Sequence, residues 1–155
     1  MSGNTMGAFD PLAEIRYIAQ CMKPDDRLII DGEVYDDKTS MARRDNPSAR
    51  KFVSALLASV GIGSRDGDIG FNLKRDDRHD GLHLITRYFR AERDLSATVA
   101  GQEIPLERGE RIGMNFQYAY TPDAFRWLLS EQGGLEILKN YSSPDARFLT
   151  ALCKK

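Results

Sequence analysis

Arg111-Ile112-Gly113-Met114-Asn115-Phe116-Gln117-Tyr118-Ala119-Tyr120-Thr121-Pro122-Asp123, with the residues up to Cys153, decides the fold. Ile112, Met114, Phe116, Tyr118 and Tyr120 alternate with smaller or polar residues, the period of a strand. Thr121-Pro122-Asp123 starts a helix, with Thr121 as N-cap and Pro122 in the first helical position. Phe125, Leu128 and Leu129 give that helix a single apolar stripe, and Gly133-Gly134 ends it. Two short strands follow, Leu135–Tyr141 and Arg147–Leu152, joined by the turn Ser142-Ser143-Pro144-Asp145. Strand, helix, strand and reversing strand make an α/β unit whose final strand runs antiparallel to its neighbours.

Working back toward the start, residues 1–9 are small and polar and read as a loop. Asp10-Pro11 opens a helix whose apolar face is Leu12, Ile15, Ile18, Ala19 and Met22, and Pro24 stops it. Leu28-Ile29-Ile30 is a continuous apolar run, the pattern of a strand covered on both faces in a parallel sheet. It leads into Asp31-Gly32-Glu33-Val34-Tyr35-Asp36-Asp37. Acids at the carboxyl end of such a strand lie where open α/β sheets bind ligands, or else form a solvated turn. Residues 38–48 are polar and basic and read as a loop, before Asn46-Pro47 caps a second helix. Phe52, Val53, Leu56, Leu57 and Val60 form its core stripe, with its C-cap at Gly61-Ile62-Gly63. From Ile69 to Leu106 the period is two, with turns at 75–81 and 100–103. The spacing predicts an antiparallel meander of four or five strands, inserted between the two α/β segments to cover the sheet's carboxyl edge.

The 155 residues suit one domain with an insertion, and 41% hydrophobic content is enough for a core. No apolar run approaches a membrane span, and the first eight residues lack the pattern of a secretory leader, which favours a cytoplasmic protein. A net charge of −1 gives no field for nucleic acid. Cys21 and Cys153 read as buried thiols in a reducing compartment. No ligand spacing for zinc exists, and neither a P-loop nor a glycine-rich strand–helix junction is present. The mixed charges from Lys74 to Asp94 read as a solvated face.

His79 lies in a charged turn and His83 on a strand, with no Ser or Cys at a nucleophile position beside either. Asn115 and Gln117 share one face of their strand, opposite Met114, Phe116, Tyr118 and Tyr120. Two neighbouring amides can read a small polar ligand through paired hydrogen bonds, or stand as an exposed strand face.

Asn4-Thr5-Met6-Gly7-Ala8-Phe9-Asp10-Pro11, then Leu28-Ile29-Ile30-Asp31, then Thr121–Leu152 resemble the second half of a class I S-adenosylmethionine-dependent methyltransferase. More narrowly, the order is similar to the histidine-specific methyltransferase family of the ergothioneine pathway. There a loop of the form S-T-I-G-N-F precedes a helix and a strand, and an inserted substrate domain ends in a strand like I-x-T-E-x-S-x-K-Y. The resemblance implies an α/β fold (α+β where the meander dominates), with a partial Rossmann-like core at 1–37 and 119–155. Residues 38–118 become the inserted substrate-binding subdomain. It implies S-adenosylmethionine as cofactor, a small-molecule amine as acceptor, and a pocket lined by Gly7, Phe9, Asn115, Gln117 and Tyr118. Three departures accompany it. Ala8 stands at the family's loop asparagine. Asn115 and Gln117 stand at its glutamate and serine, which makes histidine a poor substrate. The family's glycine-rich cofactor loop belongs to strands upstream of residue 1. The expected partners are therefore an upstream methyltransferase half or a second copy recruited through an unpaired edge at Leu28–Tyr35. The alternative is a non-catalytic binding or dimerisation module derived from the same fold.

Overall fold

The computed structural model describes residues 5–37 and 45–155, so the polar stretch 38–44 and the first four residues lie outside it. The chain is a mixed α/β protein that divides into two compact units. Among the described residues the first comprises 5–36, 73–85 and 117–155, and the second 37, 45–72 and 86–116.

In the first unit a 3-10 turn, Thr5–Ala8, leads to helix α1, Pro11–Cys21. The carboxylate of Asp10 accepts from the amide of Ala13 at 2.9 Å, as an N-cap aspartate should. The ammonium of Lys155 closes the other end of α1 on the carbonyls of Ala19 and Met22, at 2.6 and 2.8 Å. Strand β1 is Arg27–Glu33. The closing segment supplies helix α3, Pro122–Trp127, a π-helical turn at Leu128–Gln132, and strands β7, Glu136–Ser142, and β8, Phe148–Lys154. Thr121 caps α3 through the amide of Ala124, and Gly134 turns the chain at φ +62°. The sheet order is β1-β8-β7, with β8 antiparallel to both neighbours. The expected reversal of the last strand is therefore present. Ile15, Ile30, Phe125, Leu128, Leu129, Ala151 and Cys153 pack between α1, α3 and one face of this sheet. Burial lifts the Cys153 thiol to about 11, leaving it an inert core group.

Three expectations need correction here. Strand β1 is not a doubly covered parallel strand: it pairs antiparallel with β8, and Ile29 is 61% exposed. Side chains alternate across a sheet, so a short apolar triplet guarantees only one buried face. β1 is an outer strand of its sheet, and the edge expected at Leu28–Tyr35 meets another strand at its end. Val34 forms a parallel bridge with Tyr120, and the amide of Tyr35 donates to the Tyr120 carbonyl at 2.9 Å. Cys21, at the last turn of α1, is exposed rather than buried. The 3-10 turn replaces the loop read before α1, and its Met6 is fully buried.

The second unit holds helix α2, Pro47–Ala58, capped by Asn46, and a ribbon of β4, Leu95–Val99, and β5, Gln102–Leu106. Ala100 and Gly101 both take positive φ, 51° and 79°, the geometry of a tight two-residue hairpin. Strands β2, Gly67–Arg75, β3, Leu82–Ala91, and β6, Arg111–Tyr120, form a separate sheet in the order β2-β3-β6, and each contributes residues to both units. The single meander thus resolves into two sheets. Val53, Leu57, Ile62, Ile69, Phe89 and Ala97 form the second unit's core. Phe52 and Leu56, read as part of the α2 stripe, are exposed instead. They lie on the flank of the stripe, one residue ahead of Val53 and Leu57, and a helix of this length buries only the inner turn positions.

Candidate functional site

The first unit gathers its polar side chains at the end of β6 and on the turn between β2 and β3. That turn begins with Asp76, whose Oδ1 accepts the Arg78 amide at 2.9 Å, a local bond that side chains of this length make readily. The Arg78 guanidinium then folds back on the same carboxylate, Nε to Oδ1 at 2.7 Å and Nη2 to Oδ2 at 2.6 Å. Its remaining arm donates to Oδ2 of Asp10 at 2.6 Å, tying the turn to the N-terminus of α1. The hydroxyl of Tyr118, on β6, lies 3.1 Å from Arg78 Nη2 and 3.3 Å from Asp76 Oδ2. The turn is also seated on α3. Gly81 O accepts the Thr121 amide at 2.9 Å, and the His79 ring tilts against Trp127 with centroids 4.5 Å apart. A Cβ at Gly81 would run into Thr121 and lie 2.7 Å from the Ala124 methyl, so only glycine lets the turn approach α3.

Two carboxylates and one guanidinium leave the cluster with one net negative charge. The hydrogen bonds from Arg78 hold the Asp76 carboxyl down to about 2. At Asp10 burial opposes ionisation, but the Ala13 amide and Arg78 outweigh it and the carboxyl is lowered. Burial, then the Asp76 charge, raises the Tyr118 phenol. The cluster is therefore ionised and firmly bonded near neutral pH, and Tyr118 stays a hydroxyl. No member is placed to act as a general base at that pH.

The opposite face of β6 carries Gln117, whose amide nitrogen donates to Glu33 Oε2 of β1 at 3.0 Å. Nearby in sequence, Tyr35 stacks on the buried His83 ring, 3.6 Å between centroids and 13° between planes. The five residues expected to line a pocket fall as follows. Gln117 joins Glu33, and Tyr118 joins the Arg78 cluster. Gly7 is buried in the 3-10 turn and Phe9 is 49% exposed just ahead of Asp10. Asn115 is exposed on the portion of β6 that belongs to the second unit. Asp10, Asp76 and Arg78 were not singled out as site residues from sequence. The mixed charges read as a solvated face include Asp76, whose side chain is only 10% exposed. The one available signal was Asp10 itself, an N-cap with a second carboxylate oxygen to spare.

Among the described residues no helix is long and apolar enough to cross a membrane, and no group of three or more His, Cys, Asp or Glu side chains is arranged to hold a metal ion.

No protein-family model matches the sequence, and no curated protein matches it. Among solved structures, a S-adenosylmethionine-dependent methyltransferase from Clostridium acetobutylicum ATCC 824 is similar over 97% of this chain and 55% of that one, at 13% identity and a TM-score of 0.42. The CcbJ methyltransferase from Streptomyces caelestis is similar over 98% of this chain and 57% of that one, at 12% identity and a TM-score of 0.40. The chain spans little more than half the length of each.

Proposed function

We propose that this chain is a methyltransferase-family protein that holds a small amine acceptor for methyl transfer from S-adenosylmethionine. The observation that carries this reading is β8. A final strand antiparallel to β1 and β7 fits the closing helix and hairpin of the family that the sequence resembles. The amine class is supported by charge. The closing strand has Asn115 where the similar family has glutamate, and Glu33 supplies a carboxylate 3.0 Å from Gln117. A carboxylate beside an amide suits an ammonium with a further polar group.

The described residues do not by themselves fit the methyl donor. The sole Gly-x-Gly, Gly61-Ile62-Gly63, follows a helix, and the Gly63 amide is already taken by the Asp66 carboxylate at 2.6 Å. That segment repels an anion instead of cradling one. A donor site in this chain would therefore be built without a glycine-rich loop. Isothermal titration of S-adenosylhomocysteine into the purified chain tests the reading. Saturable binding at one site per chain or per dimer supports it, and no heat at high concentration removes donor binding from this chain.

A second reading, a non-catalytic binding or dimerisation module on the same fold, draws on the outer face of the β1-β8-β7 sheet. Ile29 and Tyr141 share that face through their register with Leu152 and Thr150, and are 61% and 55% exposed. Light scattering across a concentration series separates the two, since a monomer throughout counts against the module.

A further inference from the structure

The second unit contains a cleft of about 360 Å³ between α2 and the start of β2. Small-molecule sites typically have volumes of about 300–1,000 Å³, an apolar lining and a few polar groups that fix orientation. This cleft has that composition. Leu57, Ile62, Ile69 and Phe89 line it and are all buried. Gly67 leaves room for the Phe89 ring, since a Cβ there would run into the Arg90 carbonyl and lie 2.5 Å from Phe89 Cζ.

The polar groups at the mouth are Arg50 on α2 and Asp68 on β2. Arg50 is already engaged by Asp45, through Nε to Oδ1 at 2.5 Å and Nη2 to Oδ2 at 3.0 Å. Its third arm reaches Asp68 at 3.2 Å, and the Asp68 side chain is 63% exposed. Among the described residues, Arg50 is thus shared between Asp45, which takes two of its nitrogens, and Asp68, which takes one and is the less compensated charge. An incoming carboxylate would meet a guanidinium whose charge Asp45 already balances through two bonds. An incoming ammonium needs only to replace one long, solvent-screened contact on Asp68, and exposed pairs of this kind contribute little. The mouth therefore selects a cation, and the floor selects an apolar body.

We propose that this cleft binds a small amphipathic amine, with an aromatic or branched aliphatic body on the Phe89 floor and its ammonium on Asp68. The proposal goes beyond methyl transfer. It concerns binding alone, and titration with S-adenosylhomocysteine neither supports nor weakens it.

The test is an NMR titration of the full chain with phenethylamine, set against 3-phenylpropionate, which carries a similar body and the opposite charge. Phenethylamine is expected to shift the Leu57, Ile62, Ile69 and Phe89 signals saturably, and 3-phenylpropionate to bind at least about tenfold more weakly. Asp68→Asn, at an exposed position, should weaken phenethylamine about threefold by removing one solvent-screened ion pair. Ser54→Phe, also exposed and on the cleft wall, should abolish binding while leaving Asp68 in place. If that variant does not fold, Asp68→Asn decides alone. The proposal is overturned by no saturable shift up to about 10 mM, by 3-phenylpropionate binding as well as the amine, or by undiminished binding to Asp68→Asn.

Discussion

Each unit has an arginine held between two aspartates, and the two sets behave differently. In the first unit Arg78 bonds Asp76 twice and Asp10 once, with the Tyr118 hydroxyl on top, and the Asp76 side chain is 10% exposed. In the second, Arg50 bonds Asp45 twice and reaches Asp68 with a single 3.2 Å contact, and the Asp68 side chain is 63% exposed. Each set has two carboxylates on one arginine. Burial and the number of bonds per carboxylate decide whether such a set knits elements together or stays available to a ligand. The Arg78 set joins the β2–β3 turn, α1 and β6. The Arg50 set borders a cleft.

The largest expected difference comes from removing the arginine. Arg78→Met leaves Asp76 charged, nearly buried and short of its partner, a mechanism that costs about 3 kcal/mol after discounting for the exposure of Arg78 and Asp10. Urea unfolding followed by circular dichroism should show the midpoint fall accordingly, whereas Arg50→Met should move it by less than about 0.5 kcal/mol. Equal losses would erase the distinction.

Acid comes next. Arg78 depresses the Asp76 carboxyl from 3.8 to about 2. A lowered folded-state value means stability that is fully present above about pH 4 and lost as pH falls toward 2. The loss is about 2 kcal/mol for one such group. Urea midpoints measured from pH 5 to pH 2 should fall through that window, and Asp76→Asn should flatten this part of the profile. A profile unchanged by that substitution would place the titration elsewhere. A smaller effect is expected from Tyr118→Phe, which removes the hydroxyl from Asp76 and Arg78 and should cost about 1 kcal/mol by the same unfolding measurement.

How much of this was legible in the sequence depended on range. The caps at Asp10, Asn46 and Thr121, each with proline behind it, and the strand–helix–hairpin ending are local signals, and the structure follows them. So does the reversal of β8, because the Ser142–Asp145 turn dictates it. The faces of β1 and α2 were less legible. Leu28-Ile29-Ile30 and Phe52-Val53 are apolar whichever side faces the core, and only the tertiary packing buries Ile30 and Val53 while leaving Ile29 and Phe52 in solvent. The Arg78 cluster was the least legible, since Asp10 and Arg78 are 68 residues apart and an Asp-x-Arg turn carries no periodicity. Tyr118 was expected in the pocket that the resemblance implies, yet its partners came from the turn that composition marked as solvated. The cleft's floor could be read as core, but its mouth could not. Nothing local pairs Arg50 with Asp68 across 18 residues.

That last pair gives the smallest effect and the sharpest test of the contrast. A double-mutant cycle between Arg50→Met and Asp68→Asn isolates the coupling across the 3.2 Å contact, free of what each side chain does alone. Two side chains 41% and 63% exposed are screened by water and salt, and holding them in one geometry costs rotamer freedom. The coupling should be about 0.3 kcal/mol at low salt and shrink further at about 1 M salt, where the screening length is only a few ångströms. The same cycle between Arg78→Met and Asp76→Asn should exceed 1 kcal/mol and respond less to salt. A coupling above about 1 kcal/mol at Arg50–Asp68 would mean that Asp68 is committed to its arginine. A ligand ammonium would then have to break a strong bond to enter, and the cleft would lose the feature that selects a cation.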